Sequence, residues 1–119
     1  MVLVDTSIWV HHFRNSLPSL QALLLENAVV CHPFLIGEIA CGQLKHRSEI
    51  LRLMSALPQA KELQHDEVLY FIEQHRLIGL GASFIDMHLL ASAVLTHVPL
   101  WTLDKVLATA SEKLQVHYK

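Results

Sequence analysis

Short apolar runs alternate along the chain with longer stretches in which apolar side chains recur every three or four positions. The runs Val2–Val4, Ala28–Cys31 and Leu100–Leu103 are too short for helices and mainly apolar, so they read as buried strands. Ala60–Leu63 and Val116–Tyr118 are weaker runs of the same kind, the second suited to a sheet edge. Helical spacing follows Asp5 and breaks at Asn15-Ser16. It resumes through Leu17, Leu20, Leu23 and Leu24, with Pro18 in the first turn. Pro33 predicts the start of a helix over Phe34–Leu44, weakened by Gly37 and Gly42. Ser48 predicts the cap of a helix through Leu57, stopped by Pro58. Asp66 opens an amphipathic helix that ends near Gly79, Ser83 starts another that runs to about Thr96, and Lys105–Leu114 forms the last.

Buried strands separated by helices imply an α/β domain, with a parallel sheet of four to five strands covered on both faces. Such sheets bind ligands in the crevice beyond the carboxyl ends of their strands. Asp5 and Asp104 each follow an apolar strand directly, so both fall at that crevice.

Composition narrows this picture. The 119 residues fit one domain, residues 1–119, and a 52% hydrophobic, 17% charged chain can bury a real core. No apolar run approaches the roughly 18–20 residues of a membrane span. No basic segment precedes an apolar block at the start, which together with two cysteines in apolar surroundings, Cys31 and Cys41, predicts a cytoplasmic protein with reduced core thiols. Net charge is −2, so charge alone does not announce a nucleic-acid binder. The nine histidines are scattered without a ligand-type pair, which argues against zinc.

Four acids carry the chemistry. Asp5, ahead of Thr6 and Ser7, can cap the following helix or serve a site; Asp104 presents the same choice. Ser83 and Asp86 have the spacing of a capping box. Glu38 lies too deep in its helix to cap it, and among Phe34, Leu35, Ile36 and Ile39 it is either solvated on an open face or costly to bury. Four carboxylates converging on one crevice would raise one another's pKa. A hard divalent cation, magnesium or manganese, would remove that penalty and support phosphodiester hydrolysis by a metal-activated water. No Ser–His or Cys–His nucleophile and no phosphate-binding glycine loop is evident.

The motifs themselves resemble a known family. Val-Asp-Thr-Ser-Ile-Trp (Val4–Trp9) is similar to the first motif of PIN-domain proteins, especially the toxic ribonucleases of VapC-type toxin–antitoxin pairs. Ile36-Gly-Glu-Ile-Ala-Cys-Gly42 resembles their second motif, Ser83-Phe-Ile-Asp86 with the small-residue helix Leu89–Ala93 the third, and Leu100-Trp-Thr-Leu-Asp104 the strand that carries the last acid. The resemblance covers essentially the whole chain. It implies a three-layer α/β/α PIN-like fold and a magnesium-dependent endoribonuclease, with manganese as the alternative ion. Asp5 and Asp86 would be the direct ligands, Glu38 and Asp104 would complete the acidic site, and Thr6, Ser7 and Thr102 would orient carboxylates or waters. It further implies a homodimer and a small cognate antitoxin protein that blocks the site. One departure is that Lys105, Val106 and Leu107 follow Asp104, where some relatives carry another acid.

An RNA substrate needs cations. His11, His12 and Arg14 form one basic group, and Lys45, His46, Arg47 and Arg52 another; either can hold phosphates or simply be solvated. Trp9 and Trp101 read as core residues rather than base-stacking platforms. The rival readings are a non-catalytic PIN-like binding module and a metal-dependent phosphatase of the haloacid dehalogenase type. The second normally has an acid two residues after the first, where this chain has Ser7.

Overall fold

A computed structural model describes residues 1–119. Strands β1 (Val2–Val4), β2 (Val29–Val30) and β3 (Leu100–Trp101) form a parallel sheet in the order β2-β1-β3. Seven helices accompany them: α1 (Thr6–Asn15), α2 (Pro18–Leu25), α3 (Pro33–Ala40), α4 (Arg47–Ala56), α5 (His65–Gln74), α6 (Phe84–Thr96) and α7 (Lys105–Lys113). One group of packed helices comprises α1, α3 and α4, and the other α5, α6 and α7.

The sheet is narrower than four to five full strands. Only three strands form a ladder, and each edge is extended by a single bridge, Cys31 to Gln59 and Leu100 to His117. These bridges fall at or beside the two weaker runs. Ala60 donates to the Cys31 carbonyl and Tyr118 to that of Leu100, so both runs pair for about one residue and then leave the sheet. Gln59 is exposed and Lys61 hydrogen-bonds the Thr96 hydroxyl, which takes its backbone out of the ladder.

The central strand is buried along its whole length. Leu3 and Val4 are fully buried beside Leu100, Val29 and the α6 side chains Leu89 and Leu90. Seven consecutive α6 residues, Met87 through Ala93, are buried, so this stretch of the helix is enclosed on every side, with His88 and Ser92 as its polar members. Trp9 is buried, stacked on Phe13 with centroids 5.8 Å apart, while Trp101 is half-buried against Tyr118.

Several helix boundaries differ from expectation, each for a local reason. Helix α3 stops at Ala40 and does not reach Leu44; the Arg47 guanidinium donates to the Ala40 carbonyl from Nε (3.1 Å) and Nη2 (2.9 Å), ending the helix. Cys41 therefore leaves the helix exposed, not in the core, whereas Cys31 is buried and its thiol is pushed up to about 11. Helix α4 begins at Arg47 behind His46, whose backbone is left-handed (φ 58°), so Ser48 lies inside the helix and does not cap it. Helix α5 begins one residue before Asp66 under a reciprocal Gln64–Glu67 box and ends at Gln74, before the turn containing Gly79. Gly79 and Gly81 both have positive φ (78° and 89°), the backbone that lets this turn deliver Ser83 to the start of α6.

His32 caps α3: its Nδ1 accepts from the Phe34 amide at 3.0 Å, and the residue is fully buried. The ring must be neutral at that nitrogen. Burial, opposed by the Glu62 charge and reinforced by His88, holds its pKa below the usual histidine value. A depressed folded pKa means that the unfolded chain binds the proton first as pH falls. This contribution to stability is full above about pH 6.5 and is lost below it. Acidification from about pH 7.5 to about 5.5 should therefore lower the wild-type thermal midpoint more than that of His32→Asn, which keeps a capping oxygen that does not titrate. Parallel pH dependence in the two proteins would remove His32 from this role.

Candidate active site

Asp5 leaves β1 with both ends of the residue held. Its amide donates to the Trp101 carbonyl at 2.9 Å, continuing the β1–β3 ladder, and only 6% of its surface is exposed. Its side chain makes no cap bond to α1. Instead Oδ2 accepts from Thr102 Oγ1 at 2.7 Å and from Ser7 Oγ at 2.8 Å. Charge-assisted bonds of this kind are what make a buried carboxylate tolerable. Capping is thus not the reason for the first acid.

The same two hydroxyls reach the turn that carries the fourth acid. Ser7 Oγ accepts from the Leu103 amide at 2.9 Å, and Thr102 Oγ1 accepts from the Asp104 amide at 3.0 Å. Asp104 does cap its helix, Oδ1 accepting from Leu107 at 2.9 Å. Asp86 and Ser83 form the expected capping box, with Ser83 N to Asp86 Oδ2 at 3.2 Å and Asp86 N to Ser83 Oγ at 3.1 Å. Glu38 is exposed and buries no charge; Thr6, the residue after Asp5, donates to its Oε1 at 2.8 Å.

Electrostatics ties Asp86 to the others. Partial burial, with the negative charges of Asp5 and Asp104, raises its pKa, against the lowering effect of its Ser83 bonds. The chain's one ion-pairing contact, 3.9 Å, is between His117 and Glu112; no lysine or arginine stands within ion-pairing distance of any of the four acids. Each also keeps one oxygen without a protein donor: Oδ1 of Asp5, Oε2 of Glu38, Oδ1 of Asp86 and Oδ2 of Asp104. No three Asp, Glu, His or Cys side chains stand close enough to cage a metal by themselves. Free hard oxygens around uncompensated charge nonetheless fit magnesium, which keeps several of its waters and takes only one or two carboxylates.

The basic residues separate into distinct places. Arg14, Lys45 and His46 line a groove of about 630 Å³ that Glu38 also lines. Arg47 is committed to Ala40. His12 faces a second, apolar groove with Trp9 and Met54, and its Nδ1 accepts from Leu17 at 2.9 Å; burial lowers its pKa. His11 and Arg52 are exposed and line neither groove. The Arg47 staple had no periodic signal in the sequence. His32 as a cap had one, since it directly precedes the helix-starting Pro33.

A PIN domain family model matches residues 2–113. The chain belongs to the PIN domain family. Two relatives, both named ribonuclease VapC32, from Mycobacterium tuberculosis strains CDC 1551 / Oshkosh and H37Rv, are each 41% identical over 111 residues, 92% of this chain and 90% of theirs. The match covers every acid described above, and the parallel sheet between two helix groups is the three-layer PIN arrangement.

Two substitutions separate the roles of these PIN-domain residues. Thr102→Val removes a donor from Asp5 and a partner from the Asp104 amide, and should cost about 1–3 kcal/mol of stability. Asp86→Asn keeps an oxygen for the Ser83 amide and deletes the repelled charge, so without metal at neutral pH it should raise the thermal midpoint. Thermal unfolding in EDTA checks both; a stabilised Thr102→Val or a destabilised Asp86→Asn contradicts this description of the cluster.

Proposed function

We propose that this PIN-domain protein is a magnesium-dependent endoribonuclease, the toxic member of a toxin–antitoxin pair. The observation that carries the reading is that Asp86 lies in the field of Asp5 and Asp104 with no lysine or arginine paired to any of them, while Glu38 is tied to the residue after Asp5 through Thr6. The relatives' ribonuclease name supports RNA as the substrate. Asp5 and Asp86 are the first choice as ligands, with Glu38 and Asp104 completing the set; manganese is the natural substitute ion.

When bound, the ion supplies positive charge at the scissile phosphate and lowers the pKa of the attacking water. The chain's own residues do the positioning. Thr102 and Ser7 fix the Asp5 carboxylate through Oδ2, which turns its remaining oxygen to ligation. Thr6 fixes Glu38 in the same way, and the backbone ties at Asp86 and Asp104 restrict those two. Such outer hydrogen bonds orient ligands and tune their affinity. Ser7 is thereby a support for Asp5, at the position where a haloacid dehalogenase-type phosphatase carries its second acid.

In the cell the protein acts in the cytoplasm, as a homodimer held inactive by a small cognate antitoxin. No helix is long and apolar enough to cross a membrane.

Asp5→Asn and Asp86→Asn should each reduce magnesium-dependent cleavage of RNA to background while circular dichroism stays native. Unchanged cleavage by both variants would sink the catalytic assignment. Absence of metal-dependent cleavage by the wild type on every RNA tested would favour a binding module that has kept its acids.

A further inference from the structure

The groove beside Glu38 extends away from the other three acids, none of which lines it. Glu38 lines the groove and accepts from Thr6, whose neighbour is Asp5. Arg14 from α1 and Lys45 and His46 from the turn before α4 line the same groove, all exposed and none in an ion pair. One wall is apolar, made by Phe13 and Leu44 among others. The Arg47 staple on Ala40 fixes the turn carrying Lys45 and His46 against the end of α3.

We propose that this groove seats a nucleotide of single-stranded RNA flanking the scissile phosphate, Arg14 and Lys45 pairing with its phosphate while Phe13 offers a face to its base. The inference rests on the nuclease reading above for what happens at the acids. Charge arrangement chooses the occupant. A strand with a phosphate at every residue can offer one anion to the acids, where a cation is required, and a neighbouring one to the Arg14 and Lys45 side chains that share the groove with Glu38. A protein segment has no such repeat. The volume of about 630 Å³ suits a ligand the size of one or two nucleotides. Unpaired bases can turn out of the stack onto an aromatic side chain, which a duplex forbids. Phe13 is half-buried and backed by Trp9 at 5.8 Å, so its ring is held in place.

The test uses the whole protein and a short fluorescent single-stranded RNA. Anisotropy titrations in EDTA over a range of salt concentrations compare the wild type with Arg14→Gln and Lys45→Gln. Both are exposed positions whose loss leaves the core intact. Each variant should bind roughly three- to tenfold more weakly, and the slope of log affinity against log salt should fall by about 0.7 per cation removed. In magnesium, each should raise KM for RNA cleavage with kcat near the wild-type value. Unchanged affinity and salt slope in both variants overturns the subsite and leaves the groove to a protein partner. If the wild type cleaves but the variants match it, the subsite fails and the nuclease reading stands. If the wild type never cleaves, yet binding and salt slope fall in the variants, the nuclease reading fails and the nucleotide site stands.

Discussion

A carboxylate at the end of a fully buried strand is costly to desolvate unless strong donors meet it, and at Asp5 two hydroxyls do so. Thr102 comes from the end of β3 and Ser7 from the first turn of α1, so this one carboxylate ties the β1–α1 turn to a strand end ninety-seven positions away. The same hydroxyls accept from Leu103 and Asp104, which fixes the turn leading into α7. Loosening Asp5 would release the register of β1 against β3 and the position of the last acid together. Because the central strands pair over only two or three residues, the side-chain lock contributes a large share of the order at this edge.

That lock also defines what the cluster lacks. Hydroxyl donors satisfy one oxygen and leave the charge of the carboxylate in place. At Asp86 partial burial raises the pKa, and the uncompensated charges of Asp5 and Asp104 push it in the same direction. A protein built only for stability would pair an arginine or lysine there; this one leaves the acids without such a partner, and Arg14 and Lys45 line the groove that only Glu38 of the four shares. A negative centre flanked by a basic groove is the arrangement a polyanion and a divalent cation can share.

Much of this was legible in the sequence because it rests on local patterns. The three apolar runs marked the three strands, Ser83 with Asp86 marked the α6 box, and Leu103-Asp104 marked the last cap. The four acids also surfaced by type and order, with the hydroxyls Thr6, Ser7 and Thr102 beside them. What could not be read depends on contacts between distant segments. Nothing local distinguishes an Asp5 that caps from an Asp5 held by Thr102, ninety-seven positions away. The early end of α3, and with it the exposure of Cys41, follows from Arg47 reaching back to Ala40. Likewise, Arg14 and Lys45 read as two unrelated basic groups until α1 and the turn before α4 placed them on one groove.

The central claim is that the acid cluster is a divalent cation site anchored on Asp5. Anomalous diffraction from crystals of the full chain soaked in manganese tests it most directly. The account predicts that the strongest manganese peak lies about 2.0–2.3 Å from carboxylate oxygens of Asp5 and Asp86, within reach of Glu38 or Asp104 directly or through water. Manganese bound only elsewhere, with the Asp5 and Asp86 oxygens unligated, would contradict it.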